Sequence, residues 1–502
     1  MPRPISCHWL SFAGERRLMQ KTFLSNLSLL MVLNLLIKPA YLLFVEAEVQ
    51  NRVGSEVFGH YSALLSLGFL LNIVLDLGIN TFTSRELSRR NDVVSNYFSG
   101  VVLLRLLLAG VYFIVLTGLA FALGYSQTSI VLLVWIGVNQ LLAATVLYIR
   151  SNLSGLLLFR QDAVLSVLDR AVAFGLLVVV LYGGMAREAF DIRYLIGAQT
   201  VAYGAGILVG MLFLAPHIGE WKPRWKPRLN RLVLNQSIPY ALLVMLMMVY
   251  YKTDSVMLER MRPDGAWQAG VYAMGYRLFE AANMLGYLFA TLLLPLFSRM
   301  LKSGSNVRPL VDNAFRIVIT GSFALAVACS FWSTDIIGTV YDHDIEAASS
   351  LFKLLMWAFV FMMTSYVWGT LLTAHGNMRG MNTVAAVAVV LNIALNAWLI
   401  PEHGAFGSAA ASLATQILVA FTQMILVSRS TGTAPQAPTL MRSALYLGVL
   451  LAAAFGMKHL AWGVAVELVL FGAIAAVSAL SLGLIKRVQF SQLLRTNEGA
   501  GD

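Results

Sequence analysis

Apolar stretches of about 20 residues, the length an α-helix needs to cross a hydrocarbon layer, recur from one end of this 502-residue chain to the other. That recurrence constrains the fold more than any single motif. A water-soluble chain of this length divides into domains with charged surfaces. Here 58% of residues are hydrophobic and 12% are charged, and the mean hydropathy is +0.73. The chain reads as an integral membrane protein. The alternation over about ten residues that a membrane β-barrel needs is absent, so the spans are helices.

A window of about 19 residues predicts about fourteen spans, at 22–45, 59–83, 97–123, 127–149, 164–183, 193–215, 237–258, 270–296, 311–333, 351–374, 380–400, 405–427, 440–458 and 462–484. Most mix Gly, Ala and Ser with Leu and Val, as in "GSAAASLATQ" (407–416), and small residues let helices approach closely. One set of connections is basic: Arg85, Arg89 and Arg90; Arg150 and Arg160; Lys222, Arg224, Lys226, Arg228 and Arg231; Arg299, Lys302 and Arg308; Arg379; Arg429. The alternate set is acidic: Glu46, Glu48 and Glu56; Glu188 and Asp191; Asp335, Asp342, Asp344 and Glu346; Glu402. Positive charge marks the cytoplasmic side, which places both termini there, in an inner membrane.

The run before "VEA" (45–47) is too long for a signal peptide and is interrupted by Lys38 and Pro39. Translation starts at Met1 or at Met19, because residues 1–18 carry no pattern. The formal charge of +11 reflects basic loops facing anionic membrane lipid rather than a nucleic-acid partner. Two cysteines, Cys7 and Cys329, give no disulfide or metal cluster.

The loop "PHIGEWKPRWKPRLNRL" (216–232) repeats "WKPR" and reads as a membrane-surface anchor. It divides the chain into a cytoplasmic tail (1–21), an N-lobe of six spans (22–215), a basic linker (216–236), a C-lobe of six spans (237–427), two extra spans (428–484) and a second cytoplasmic tail (485–502). The halves echo each other. "VFGHYSA" (57–63) and "QAGVYAM" (268–274) both carry Gly-x-Tyr, "TSREL" (83–87) answers "FSRML" (297–301), and a lysine, Lys38 or Lys252, precedes each. Weak internal repeats of this kind build many transporters, with the path between them.

Ionised groups at mid-bilayer cost about 2.5–3.5 kcal/mol each on insertion scales, and they persist where they pair or face water. Arg316 and Lys353 lie within reach of span ends, and Arg105 near the cytoplasmic third of its span, so all three are expected to snorkel. Asp169 and Arg170 are expected at the interface, near the cytoplasmic end of a short span. Six remain: Lys38, Asp76, Lys252, Asp254, Arg277 and Glu280, in spans 1, 2, 7 and 8. Lys252 and Asp254, two apart, point to different sides; Arg277 and Glu280, three apart, share a face. Asp254 is expected to meet Arg277, which leaves Lys252 for Glu280 or for the lumen. Pro39 should kink the helix beside Lys38. Tyr250, Tyr251, Tyr272 and Tyr276 crowd the same spans, as packing or as sugar-stacking surfaces. A neutralising salt-bridge network and a ligand site both stand open.

No G-x-x-x-x-G-K-[ST] loop is present, which argues against ATP as the energy source. "DHD" (342–344) reads as a solvated outer loop without a partner cluster for a metal. His343, His375 and His403 lie near span ends, and no Ser/His/Asp set shares an aqueous face.

Three segments together resemble a known family. "SIPYALLVMLMMVYYKTDSVMLERM", "AGVYAMGYRLFEAANML" and "LLLPLFSRM" resemble the seventh and eighth spans of Wzx-type polysaccharide flippases. "RVGSEVFGHYSALLSL" and "VLDLGINTFTSREL" resemble their first and second, and "LLTAHGNMRG" with "LNIALNAWLIPEHGAFGSAAASLATQ" their tenth to twelfth. These are polysaccharide transporters of the multidrug/oligosaccharidyl-lipid/polysaccharide exporter superfamily. The resemblance covers nearly the whole chain. It implies two bundles in a V around a central cavity, with span 7 bridging them and two extra spans at the C-terminus.

It also implies a task. An isoprenoid-diphosphate-linked oligosaccharide moves from the inner to the outer leaflet for O-antigen, capsule or exopolysaccharide synthesis, by alternating access. No cofactor is implied beyond H⁺ or Na⁺ as coupling ion or a membrane potential, and a polysaccharide polymerase or export machinery is an implied partner. By the same resemblance Lys38, Lys252 and Arg277 receive the diphosphate, with Tyr251 and Tyr276 beside them, and Asp76, Asp254 and Glu280 serve ion coupling or internal pairing. The expected fold is therefore all-α and membrane-integral, about fourteen helices in two pseudo-symmetric bundles. The rivals are a multidrug or small-cation antiporter of the same superfamily and a membrane-embedded polymerase. The antiporter should have an acidic cavity, and the longest outer loop, about 334–350, is too short for a catalytic domain.

Overall fold

Residues 33–87, 94–183, 190–218, 227–460 and 462–485 are described by a computed structural model. The N-terminal tail, the start of the first span, most of the tandem "WKPR" and the C-terminal tail lie outside them.

Helices dominate, as a chain with no water to satisfy its backbone requires. In chain order they are α1 (Ala47–Leu70), α2 (Asn72–Asp76), α3 (Ile79–Leu87), α4 (Val94–Ala122), α5 (Gln127–Gly155), α6 (Phe159–Tyr182), α7 (Ile192–Ile218) and α8 (Pro227–Met261). Then come α9 (Gly265–Lys302), α10 (Arg308–Phe331), α11 (Ser333–Gly338), α12 (Ile345–His375), α13 (Met378–Thr431), α14 (Ala437–Leu460) and α15 (Val464–Ser481).

Among the described residues eleven helices are long and apolar enough to cross a membrane, so this is a multi-pass membrane protein. One of them, α13, carries two expected spans. Its 54 residues are broken at Gly404 (φ 54°, ψ −133°), three residues after Pro401. The first span enters α1 through a helical lead from residue 33 and ends at a similar break, Gly54 (φ 82°, ψ 164°). The disturbance expected from Pro39 takes the form of a widened helical turn over Tyr41–Glu46. The second span is discontinuous: α1, α2 and α3 are separated at Leu71 and at Leu77–Gly78, where Leu77 is left-handed (φ 44°).

The chain forms two compact units, Met1–Gly270 and Val271–Asp502. In the first, α5 packs on α7, α6 on α7 and α3 on α5, around Ile79, Leu104, Val146, Ile149, Leu165 and Leu214. The span at 237–258, assigned to the C-lobe by sequence, packs here through α8 against α1. Its buried Tyr250, Asp254 and Leu258, four residues apart, share one helix face.

The two Gly-x-Tyr echoes meet inside this unit. A Cβ on Gly59 would lie 1.8 Å from the Ala266 carbonyl oxygen and 2.5 Å from the Gly270 nitrogen, and one on Gly270 would lie 1.9 Å from the Ser55 oxygen. Only glycine permits this approach. Gln50, fully buried, donates from Nε2 to the Gly270 carbonyl at 2.9 Å.

In the second unit α12 packs on α13 and α10. The two extra helices, α14 and α15, are fastened to α10 and α11 around Trp332, Tyr446, Leu450 and Phe471. Trp332 Nε1 donates to Glu467 Oε2 at 2.6 Å, and Lys458 Nζ meets Asp335 at 3.0 Å. Arg316, expected to snorkel, instead pairs with Asp312 at 2.5 Å and donates to Thr439 Oγ1 at 3.1 Å. That contact ties α10 to the start of α14.

Candidate functional site

Lys38 lies on the helical lead into α1, half-buried. Around it α5 and α6 contribute further charge. These helices form a tight hairpin, so Arg150 near the end of α5 faces Asp162 near the start of α6, Nε to Oδ1 at 2.7 Å. About two helical turns further along α6, Arg170 lies 3.9 Å from Asp169 and stacks over the Tyr41 ring at 5.0 Å. Arg150, Arg170 and Asp169 all act electrostatically on the Lys38 amine.

Counting Glu46, which acts on Arg170, three cations share the cluster with three carboxylates. The pairing is uneven. Arg150 and Arg170 each have a carboxylate within ion-pair reach, whereas among the described residues Lys38 makes no ion pair or hydrogen bond. Polar side chains line the neighbourhood: Asn34 donates to Ser166 Oγ at 2.9 Å, and Tyr61 and Gln199 exchange hydrogen bonds at 3.3–3.4 Å.

Asp169 and Arg170, expected near the end of their span, lie well inside helix α6. Helix α6 begins at Phe159, five residues before the apolar run, because Arg160 and Asp162 are carried in its first turn. Asp169 is therefore about 15 Å along the helix from its start. Sequence reasoning missed Arg150, Asp162 and Arg170 as companions of Lys38. The signal was the short α5–α6 connection.

Asp76 ends α2 at the break in the second span. Its Oδ1 accepts from the Asn80 backbone N–H at 3.1 Å and from Arg105 Nη1 at 3.4 Å. Arg105 does not snorkel. It is 7% exposed, donates to Asn80 Oδ1 at 3.3 Å and the Ala144 carbonyl at 2.8 Å, and lies 4.8 Å from the Tyr148 ring. A backbone break in lipid survives where freed polar groups find partners; the Asp76 carboxylate takes the Asn80 N–H, and Arg105 holds the Asp76 and Asn80 side chains.

On α8, Lys252 is half-buried with Nζ 5.5 Å from the Phe69 ring, while Asp254, two residues on, is 1% exposed. Tyr250 and Tyr251 contact each other at 4.3 Å. All these lie in the first unit.

Arg277, Tyr276 and Glu280 belong to the second. Arg277 is 4% exposed, with Nη1 donating to the Tyr341 hydroxyl at 2.6 Å. Tyr272 and Tyr276 stack at 5.5 Å, Phe279 follows at 5.4 Å, and Tyr272 reaches Ser412 at 3.4 Å. Glu280 is half-buried and Lys353 exposed.

The chemistry differs between the two units. Among the described residues, the first presents an amine without an ion-pair partner near two guanidiniums, and the second an aromatic ladder with a buried arginine.

A family model described as "Polysaccharide biosynthesis protein" matches residues 23–301, more than half of the chain. Two curated relatives, each called "Lipid III flippase", from Escherichia coli (strain K12) and Shigella flexneri, are 27% identical over 210 residues, covering 39% of this chain and 47% of each relative. The match thus spans about half the length of those relatives. Among solved structures, "Lipid II flippase MurJ, inward closed conformation" superposes with a TM-score of 0.70 at 13% identity, over 90% of this chain and 97% of that one. An inward-facing multidrug resistance MATE family transporter of the MOP superfamily gives 0.62 at 13% identity, over 84% and 98%. At these identities the two structures establish a shared fold.

Proposed function

The chain belongs to the polysaccharide biosynthesis protein family, and from that premise we propose that it is a flippase for an isoprenoid-diphosphate-linked oligosaccharide. It moves that lipid from the cytoplasmic to the outer leaflet of the inner membrane by alternating access, for surface polysaccharide synthesis. The basic connections face the cytoplasm.

The observation that carries this reading is Lys38: among the described residues, an amine without a carboxylate in ion-pair reach, in the electrostatic range of Arg150 and Arg170. A sugar diphosphate has no favourable path through hydrocarbon, so a polar surface must replace its water while the isoprenoid tail stays in the bilayer. Lys38 supplies a point charge to the diphosphate. The two arginines, already oriented by Asp162 and Asp169, supply directed donors when a stronger anion arrives. Within the same unit, Lys252 offers a second cation and Tyr251 an aromatic face. A multidrug cation exporter fits this cluster less well, because its uncommitted group is itself a cation.

The test is Lys38→Gln beside Lys38→Arg, at equal protein level. Binding of farnesyl diphosphate to the detergent-purified protein should weaken roughly 10-fold or more in Lys38→Gln, since charged hydrogen bonds contribute about 1.5–3 kcal/mol. Lys38→Arg should retain binding, and surface polysaccharide should follow the same order. Equal diphosphate affinity in Lys38→Gln and the parent protein rejects the role of Lys38. Unimpaired export in a strain lacking this gene rejects the flippase itself.

A further inference from the structure

Three half-buried or buried carboxylates of the first unit face an arginine: Asp76 meets Arg105, Asp162 meets Arg150 and Asp169 meets Arg170. These partners stay charged at every physiological pH. Glu259 differs. Its carboxylate, 6% exposed, binds His60 Nδ1 through Oε1 and accepts from the Tyr125 hydroxyl through Oε2. His60 Nε2 reaches Ser129 Oγ at 3.1 Å, and Arg260 lies 3.6 Å above the Tyr125 ring. One carboxylate thus joins three places: α1 through His60, the α4–α5 turn through Tyr125, and the end of α8.

The position matters as much as the pairing. His60 directly follows Gly59, whose backbone is pressed on Ala266 and Gly270, and the α8–α9 turn folds back so closely that Gly265 sits against the Glu259 carbonyl. The histidine–glutamate pair therefore caps the crossing of α1 with the start of α9. His60 is 33% exposed on its side chain, so solvent protons reach it. By the charge of the connections this end faces outward.

We propose that His60 and Glu259 form a proton-binding site that latches the outer end of the first unit, holding α1 against the α8–α9 turn when the imidazole is charged. The other charged and titratable groups around it fit this role. Glu56, one turn earlier on α1, is exposed. Arg262 and Asp264 in the α8–α9 turn neutralise each other at 2.8 Å. Arg260, exposed, stands over the Tyr125 ring rather than against the imidazole. Burial and the charge of Glu259 push the Tyr125 phenol above its usual range, so it remains a donor to Glu259.

The sign follows. The latch is complete with an imidazolium–carboxylate pair, so it is present in acid and weakens as pH rises through the range in which imidazole titrates. On the flippase reading, an acidic outer surface then closes the outer end after cargo leaves. That consequence rests on the proposed function; the latch does not.

The experiment reads distance, not transport, so the two fail separately. Spin labels are placed on Val57→Cys of α1 and Thr128→Cys of α5, both exposed, in a Cys7→Ser/Cys329→Ser background, and distances are recorded from pH 5.5 to 8.5 in nanodiscs. A narrow distribution in acid should broaden through one neutral-range transition. His60→Gln should abolish the pH dependence. Glu259→Gln, which keeps the acceptor but not the charge, should move the transition to lower pH and serves also if His60→Gln does not fold. A pH-invariant distribution in the parent protein, or an unmoved transition in either variant, overturns the proposal.

Discussion

The crossing of Gly59 with the start of α9 gives a quantitative handle on the fold. In Gly59→Ala the new methyl would stand 1.8 Å from a backbone oxygen, where Cβ atoms do not approach within 3.0 Å. The helices must part by at least the difference, about 1.2 Å, because the obstacle is main chain and has no rotamer to change. Overpacking of this kind costs about 1–3 kcal/mol. If the helices part along the Gln50–Gly270 line, its 2.9 Å hydrogen bond is lost. A buried donor left without a partner adds about 1–3 kcal/mol. Alanine's helix propensity returns about 1 kcal/mol. The net cost to the closed crossing is about 1–5 kcal/mol, at least several-fold in its population. Hydrogen exchange of peptides covering 55–62 and 265–272 measures that opening. Gly110→Ala is the control, since nothing lies within 4 Å of its Cβ, and it should be neutral or mildly stabilising. Unchanged protection in Gly59→Ala would refute the argument that this approach demands glycine.

Three further outcomes are expected. Arg105→Met should destabilise the protein toward the lower end of the roughly 3–5 kcal/mol seen for severed buried pairs, because the Asp76 side chain keeps 24% exposure; the double variant Arg105→Met/Asp76→Leu should recover most of the loss in thermal melts. Trp332→Phe removes the indole donor to the buried Glu467, at about 1–3 kcal/mol, and should speed alkylation of the buried Cys329 by roughly ten-fold in a Cys7→Ser background. Lys458→Ala, which breaks an ion pair with both side chains 36% exposed, should change the same rate far less, since exposed pairs contribute about 0–1 kcal/mol.

The membrane class and the approximate number of spans were legible because crossing a bilayer is a local demand on length and polarity. Depth within a span was not, because a helix continues past charged residues that look like its end, as α6 does through Arg160 and Asp162. Partners were more legible than the reading allowed. In an antiparallel helical hairpin, residues equidistant from the turn stand at the same depth. The midpoint of Asp76 and Arg105 is 90.5, the same as that of Leu87 and Val94, which bound the α3–α4 connection. Arg150 and Asp162 centre on 156, against 157 for the bounds of the α5–α6 turn. Arg170 and Tyr203, which act on each other, centre on 186.5, against 187 for α6–α7. A charge deep in one span can thus be matched to its reflection in the next, and Arg105 assigned to Asp76 rather than to the interface. His60 and Glu259 obey no such rule. They are 199 residues apart, and the close crossing of Gly59 with Ala266 and Gly270 brings them together. Ion pairs built within one hairpin are set by its turn, whereas those between helices distant in sequence are set by the packing of the whole unit. The second kind is where a change of charge has leverage on more than one helix at once.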